Sequence, residues 1–376
     1  MKKSALNPLP DDKFEIIQLL RFVAALMVII LHSTFYTSER LDPGTTVYNQ
    51  GFYGVNLFFA ISGFVMIISS EKLLGNPRGW MIFGVKRIIR IVPIYWIVTS
   101  YKLIVSLFAA TLVLHTRLDP VFIIKSYFFI PAVNSDNKLQ PFYGVGWTLN
   151  FEMFFYFLFA VALAFKIRPI VLSAIILIPL SVISIFKTHS WPAIAAFYAD
   201  PIILNFLYGM IIAKLVQNGI KLPRPLVIPL VLVSLLIIFF PVGVFPLLTY
   251  LTYSPVAIHI STFLVVYGGA SVEGYWGKKV PSLLLFLGAA SYSLYLIHPS
   301  VSPLAPTLMK FFHLKSAFLS IILGVLGSIF AGSVFYLLCE KPITKMLTAL
   351  SRRSKRLGQS AVQTRSYPAG EVEKVK

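Results

Sequence analysis

Two residues with useful chemistry lie on one helical stripe inside the first long apolar segment, residues 14–35. Arg21 is a permanent cation, and His32 carries an imidazole that titrates near neutral pH. They are eleven positions apart, so in an α-helix they point the same way and lie about 16 Å apart along the axis. A charge inside hydrocarbon is costly and usually functional. The stripe therefore favours a functional site in which His32 could act as general base.

A cluster of basic residues beside the third apolar segment is the second candidate. Lys86, Arg87 and Arg90 crowd about one helical turn in the stretch KRIIRIVPIYW. Guanidinium groups match phosphate oxygens, which favours a phosphate-binding role. Basic residues also anchor the cytoplasmic ends of membrane helices, so the motif alone leaves both interpretations open.

Glu152 is the third candidate, because it is a carboxylate inside the apolar segment 143–165. Such a group needs a cationic partner or a proton. It could pair structurally with Lys102 or Arg21, or it could orient or protonate a catalytic group. Trp147, in the same segment, fits either a substrate contact or the aromatic belt of a membrane helix.

Two later segments also carry polar residues. Ser291, Tyr295 and His298 fall at helical spacing in SYSLYLIHP, on one face of the ninth apolar segment. They could line an acceptor-binding cleft, or they could hydrogen-bond to a neighbouring helix. Glu340, close to Pro342 at the end of the tenth segment, fits either a salt bridge at a helix terminus or a cofactor contact.

The elements that must position these residues are membrane helices. Of 376 residues, 57% are hydrophobic and 12% are charged, which excludes an ordinary soluble domain. Apolar stretches of about twenty residues recur along the chain and predict an all-α polytopic membrane protein with about ten transmembrane helices. The predicted spans are 14–35, 52–70, 91–113, 143–165, 169–186, 199–216, 225–241, 256–272, 281–300 and 317–339.

The formal charge of +19 indicates topology rather than nucleic-acid binding. With both termini placed in the cytoplasm, 24 of the 33 basic residues fall on the inner side and 7 on the outer side. This predicts an N-in, C-in protein embedded in a lipid bilayer. Residues 1–345 form the predicted membrane domain, and 346–376 form a basic, disordered cytoplasmic tail. The single cysteine, Cys339, allows no intrachain disulfide, and we expect no metal site.

With these motifs in this order, the chain resembles the integral-membrane acyltransferase family three, whose simpler members acetylate exopolysaccharides and lipopolysaccharide O-antigens. The resemblance covers about residues 14–345. The similar elements are the Arg-x10-His spacing of Arg21 and His32, FFAISGF at 58–64, the Arg-x-x-Arg pair Arg87 and Arg90, the Trp-x-x-x-x-Glu pair Trp147 and Glu152, SYSLYLIH, and the Glu-Lys-Pro that begins at Glu340.

The resemblance implies acetyl-CoA as acyl donor, used from the cytoplasm. It implies that the acceptor is a hydroxyl of a polysaccharide or lipid-linked glycan, on the outer side of a bacterial inner membrane. His32 would deprotonate that hydroxyl or accept the acyl group itself, and Glu152 would orient or charge-balance His32. Arg21 would contact the donor arm or polarise its carbonyl. The basic cluster that includes Lys86 would bind the donor.

A transporter or flippase of a lipid-linked sugar is the alternative, because intramembrane charges and basic loops suit it equally. The sequence shows no inverted repeat or paired broken helices, which disfavours it. A structural membrane scaffold would leave the stripe of Arg21 and His32 unexplained.

The distribution of basic residues makes the topology testable. A reporter enzyme that is active only in the periplasm should stay inactive when it is fused after Lys376, because the basic tail is predicted to be cytoplasmic. The same reporter inserted into the segment 118–142, the longest predicted outer connection, is the control and should be active. Activity of the fusion after Lys376 would refute the C-in assignment.

Overall fold

The computed structural model describes residues 14–108, 118–188, 190–239 and 246–352. Throughout these ranges the regular structure is helical, and the predicted all-α class is confirmed. A π-helical turn, Tyr336–Glu340, follows the last helix. The α-helices are α1 Glu15–Arg40, α2 Tyr53–Ser70, α3 Gly79–Phe108, α4 Pro120–Tyr127, α5 Trp147–Ala164, α6 Pro169–Ile183, α7 Ala193–Tyr198, α8 Leu204–Gln217, α9 Arg224–Phe239, α10 Pro246–Tyr253, α11 Pro255–Trp276, α12 Ser282–Ala289, α13 Ser291–Val301, α14 Leu304–Phe311 and α15 Ala317–Phe335.

Within the described ranges, seven helical segments are long and apolar enough to cross a membrane, and a bent pair could provide an eighth span. The bent pair joins Ser282–Ala289 to Ser291–Phe311 at an angle of 71°. Two shorter apolar helices, Pro201–Gln217 and Arg224–Phe239, complete the set. Each predicted span thus coincides with an apolar helix, whereas the number that cross the membrane and their orientation stay predictions. The seven long segments are Glu15–Arg40, Asn49–Leu73, Gly79–Phe108, Gly144–Ala164, Pro169–Phe186, Pro255–Lys279 and Ala317–Arg352.

Two predicted boundaries need correction. Helix α3 begins at Gly79 rather than at residue 91, because no proline interrupts the chain between 79 and 90 and lysine and arginine are good helix formers. The basic cluster therefore lies within this helix, in agreement with its predicted placement on one helical turn. The last helical segment continues to Arg352, so the predicted tail begins as helix. The rest of that tail, and the predicted ends of two spans at 109–113 and 240–241, lie outside the described residues.

Helix α1 is the element around which the bundle is arranged. It packs against α2, α11, α12, α13 and α15. Its core-facing positions are small or apolar, and Ala24, Ala25 and Ile29 are fully buried. Because so many helices contact α1, the polar stripe that it carries faces protein partners rather than lipid alone.

Glycines allow the closest helix contacts. A Cβ atom at Gly209 of α8 would lie 1.8 Å from the backbone oxygen of Ala60 in α2, so only glycine permits this backbone approach. A Cβ atom at Gly288 of α12 would lie 2.1 Å from the backbone oxygen of Gln18 in α1. The second contact holds α12 against α1 just before the chain bends, and α13 then follows beside α1.

The cytoplasmic end of α1, as the predicted topology assigns it, is capped by a residue from another helix. Phe14 occupies the N-cap position and supplies no side-chain cap. The carboxylate of Glu273 in α11 takes this role: the backbone N–H of Glu15 donates to Oε1 at 2.6 Å, and that of Ile16 donates to Oε2 at 3.0 Å. A negative charge is favourable at a helix N-terminus. Glu273 thus fixes the start of the helix that carries Arg21 and His32.

Removal of this cap should destabilise the fold. We expect Glu273→Ala to lower the free energy of unfolding by about 1–2 kcal/mol, because two backbone N–H groups lose their acceptors. The measurement is thermal unfolding of the detergent-purified protein. Glu71→Ala is the matched control, since Glu71 is an exposed glutamate at another helix end. Equal melting temperatures for the two variants would contradict the capping role.

Candidate active site

A cavity lies between α1, α2, α3, α5 and α13. Its charged lining residues are Arg21, Arg87, Arg90 and Glu152, which come from three different helices. The structure therefore joins three motifs that are far apart in the sequence. Together they form one polar chamber in the interior of the bundle.

The charged end of the cavity has an excess of positive charge. Three guanidinium groups face it, against the single carboxylate of Glu152. In the described part of the chain, none of these arginines has a carboxylate oxygen within ion-pairing distance. Arg21 instead donates from Nη1 to the side-chain oxygen Oε1 of Gln18 at 3.2 Å. Guanidinium groups that lack a direct carboxylate partner can accept an anionic ligand such as a phosphate.

Arg87 and Glu152 are linked through Tyr156. The Arg87 guanidinium carbon lies 5.5 Å from the centre of the Tyr156 ring, and Nη2 of Arg87 donates to Oγ of Ser69 at 2.6 Å. The Tyr156 hydroxyl donates to Oε1 of Glu152 at 2.5 Å, and Oγ of Ser62 donates to the same oxygen at 3.2 Å. These contacts hold the Glu152 carboxylate at the arginine end of the cavity.

The sequence offered Lys102 or Arg21 as an ion-pair partner of Glu152, and neither makes a direct ion pair with it. Lys102 donates from Nζ to the backbone oxygen of Phe142 at 2.7 Å, so it is engaged elsewhere. Arg21 shares the cavity with Glu152, within electrostatic reach but without a direct ion pair. The hydrogen bonds of Glu152 connect it to Arg87 through Tyr156, whereas those of His32 lead to Val28 and His298.

Glu340 adds a second carboxylate near the arginines. It lies in the π-helical turn and is only 9% exposed. Oγ of Ser293 donates to its Oε2 atom at 2.5 Å, and its charge acts on Arg90 and Arg21. π-Helical turns inside α-helices occur frequently at functional sites. This carboxylate balances part of the buried positive charge without occupying the cavity.

Helix α13 supplies two of the predicted substrate-binding residues to the cavity wall. Ser291 is fully buried, and its Oγ has no hydrogen-bond partner among the described residues. The Tyr295 hydroxyl donates to the backbone oxygen of Val145 at 3.0 Å and accepts from Oγ1 of Thr148 at 3.1 Å. Ser291 thus offers an unused hydroxyl to a ligand, whereas Tyr295 is held rigidly in the wall.

His298, the third residue of this predicted set, contacts His32. The two ring centres are 4.7 Å apart, and Nε2 of His298 lies 3.2 Å from Nδ1 of His32. His298 is fully buried, whereas His32 is half-buried. The ring centre of Tyr295 is 5.7 Å from that of His298, so the cavity wall directly contacts the histidine pair. The pair therefore lies beside the cavity, at the opposite end of the α1 stripe from Arg21.

Two predicted site residues lie apart from the cavity lining. Lys86 is exposed on α3, one position from Arg87 and therefore about 100° around the helix. Trp147 is half-buried at the start of α5 and stacks on Phe52, with ring centres 5.6 Å apart and an interplanar angle of 4°. Phe52 is 44% exposed, so this aromatic pair forms part of the protein surface.

The structure also shows contacts that sequence reasoning missed. Tyr156 follows Glu152 by one helical turn, and this i, i+4 spacing was the available signal for their hydrogen bond. The contact between His32 and His298 joins residues 266 positions apart. Nothing local in the sequence indicates that pairing.

Comparison with known proteins supports the resemblance. The family described as an acyltransferase domain matches residues 14–338, which include the cavity and both histidines. The chain is 32% identical over 323 residues to the exopolysaccharide production protein ExoZ of Rhizobium meliloti (strain 1021), covering 83% of this chain and 94% of that protein. No solved structure matches the chain. The chain therefore belongs to the acyltransferase family three and is a membrane acyltransferase.

Proposed function

We propose that this protein transfers an acetyl group from cytoplasmic acetyl-CoA to a hydroxyl of an exported polysaccharide or its lipid-linked precursor. The protein would act in the cytoplasmic membrane of a bacterium. The observation that carries the proposal is that one cavity contains the three arginines and also Tyr295, the wall residue that contacts the histidine pair. The relative named for exopolysaccharide production supports the choice of acceptor.

The donor requires phosphate at one end and an acyl group at the other. Arg21, Arg87 and Arg90 suit the phosphates, because guanidinium groups bind phosphate oxygens through charge-assisted hydrogen bonds. His32 lies about 16 Å from Arg21 along α1. In an acyl phosphate the acyl carbon is attached directly to the phosphate, so it cannot span this separation. In acyl-CoA a long pantetheine arm separates the phosphates from the thioester, and the arm would extend past Tyr295.

The acyl transfer itself needs a base at the far end of the donor. A hydroxyl is a poor nucleophile near neutral pH. His32 takes the hydroxyl proton while the acceptor oxygen attacks the thioester carbonyl carbon. The bond from that carbon to sulfur then breaks and the ester remains on the acceptor. The thiolate of CoA that leaves takes the proton from His32. Acceptor plus acyl-CoA thus gives acylated acceptor plus CoA, without a redox change.

In this proposal Glu152 and Glu340 balance part of the positive charge where the phosphates of the donor bind. Glu152 offsets part of the arginine charge and holds Arg87 through Tyr156. Its hydrogen bonds go to Tyr156 and Ser62 and not to His32. The exposed Phe52 and the half-buried Trp147 that stacks on it form a surface for the sugar acceptor on the outer side.

The donor site can be tested on α3. We expect Arg87→Ala and Arg90→Ala each to raise the KM for acetyl-CoA, because each loses a charge-assisted phosphate contact of about 1.5–3 kcal/mol, equivalent to roughly tenfold to a hundredfold. The KM for the acceptor should change little. Lys86→Ala is the matched control, since it removes a neighbouring positive charge that is exposed. An unchanged KM for acetyl-CoA in both arginine variants, at normal protein level, would count against the donor site.

The catalytic base is tested by His32→Ala. Transfer of label from acetyl-CoA to the sugar acceptor should fall at least about a hundredfold, because general-base catalysis contributes about 10²- to 10⁴-fold. His259→Ala is the matched control, since it removes another membrane histidine that contacts Tyr208 outside the cavity. The amount of protein in the membrane is measured in parallel. Near-normal transfer by His32→Ala would refute His32 as the catalytic base.

A further inference from the structure

We propose that His298 is a positioning residue for His32: its Nε2 atom accepts a hydrogen bond from Nδ1–H of His32 and thereby leaves Nε2 of His32 as the basic atom. This inference rests on the proposed function, since it explains how His32 is prepared to act as a base. His298 then takes no direct part in binding the acceptor, which is a different role from the one its position in SYSLYLIHP first indicated.

Two backbone carbonyls determine which nitrogens carry protons. Nδ1 of His32 lies 2.9 Å from the backbone oxygen of Val28, and Nδ1 of His298 lies 3.3 Å from that of Leu294. A carbonyl oxygen only accepts, so each Nδ1 must donate. A neutral imidazole has one N–H group, so both Nε2 atoms carry lone pairs in the neutral pair.

The hydrogen bond between the two rings then has a defined donor, His32, and a defined acceptor, His298. Nε2 of His298 is 3.2 Å from Nδ1 of His32, and its lone pair accepts from the same N–H group that Val28 receives. The Nδ1–H group of His32 is thus shared between a carbonyl and an imidazole. The ring can neither flip nor change tautomer without losing both acceptors.

The free nitrogen of His32 is the one that can reach a substrate. His298 is fully buried and both of its ring nitrogens are engaged, whereas His32 is half-buried and its Nε2 atom has no partner in the described part of the chain. His32 also shares a helical stripe with Arg21, which lines the cavity. The hydroxyl proton therefore goes to Nε2 of His32 and not to His298.

A neutral acceptor suits a base inside a membrane. When Nε2 of His32 gains a proton, the imidazolium keeps its Nδ1–H bond to His298, and this bond becomes charge-assisted and stronger. The same task is performed in serine hydrolases by a carboxylate that accepts from Nδ1–H. An imidazole adds no permanent charge to the low-dielectric interior, where a further unpaired charge would be costly.

Packing holds His298 in this position. Its ring contacts Tyr295, which is itself bonded to Val145 and Thr148. The same turn of α13 is held by Tyr143, whose hydroxyl donates to the backbone oxygen of Leu296. His298 is thus held beside the cavity, against the wall residue Tyr295.

Two substitutions at His298 distinguish the loss of its hydrogen-bond acceptor from the loss of its side-chain volume. His298→Gln places an amide oxygen where it can accept from Nδ1–H, whereas His298→Leu fills similar space without an acceptor. We expect His298→Leu to lower kcat by at least about tenfold with unchanged KM for acetyl-CoA, and His298→Gln to keep most of the activity. Equal loss in both variants, or wild-type kcat in His298→Leu, would overturn the proposal.

A spectroscopic measurement on the wild-type protein keeps the proposal testable if a variant fails to fold. In protein labelled with ¹⁵N-histidine and reconstituted in lipid nanodiscs, nitrogen chemical shifts distinguish N–H from lone-pair nitrogens. Signals are assigned by their loss in His32→Ala and His298→Gln. We expect both rings to carry the proton on Nδ1 at neutral pH. A proton on Nε2 of His32 would contradict the inference.

These results separate this inference from the proposed function. If the wild-type protein transfers no acetyl group from acetyl-CoA, the proposed function fails, and if His32→Ala retains acetyl transfer, only the role of His32 as base fails. If His32→Ala loses transfer while His298→Leu does not, His32 remains the base and only the positioning role of His298 is wrong.

Discussion

The arrangement of this bundle depends on keeping three guanidinium groups in a low-dielectric interior. Arg21, Arg87 and Arg90 come from two helices and share one cavity, where a carboxylate from α5 faces them. A second carboxylate, Glu340, approaches from the end of α15. Separately, each buried charge would be costly. The positions of α1, α3, α5 and α15 are therefore coupled by charge as well as by packing.

Much of this arrangement could be predicted from local sequence. Runs of apolar residues indicate membrane helices because a helix satisfies its own backbone hydrogen bonds in lipid. The stripe of Arg21 and His32 follows from the rotation per residue alone. The placement of Glu152 in a helix with aromatic neighbours also needs only local information. Each of these predictions depends on one helix at a time, which is why local sequence is sufficient to make it.

The remainder depends on how helices meet, which local patterns do not contain. Lys86 and Arg87 are adjacent in sequence, yet one is exposed and the other lines the cavity. The hydrogen-bond partner of His32 lies on α13, whose position follows from the 71° bend and from the contact of Gly288 with α1. The sequence therefore predicted the catalytic candidates but not which of them touch each other, and Glu152 and His298 are the clearest examples.

The π-helical turn at the end of α15 makes the length of this segment part of the site. A π turn holds one residue more than the α-helix around it, so the residues beyond it are rotated relative to a regular helix. Deletion of a single residue between Tyr336 and Glu340 would allow regular α-helix to form. It would also turn Glu340 by about 100° away from Ser293. In relatives aligned to this chain, a one-residue gap here would therefore mark a carboxylate that no longer faces the arginines, even where the glutamate itself is present.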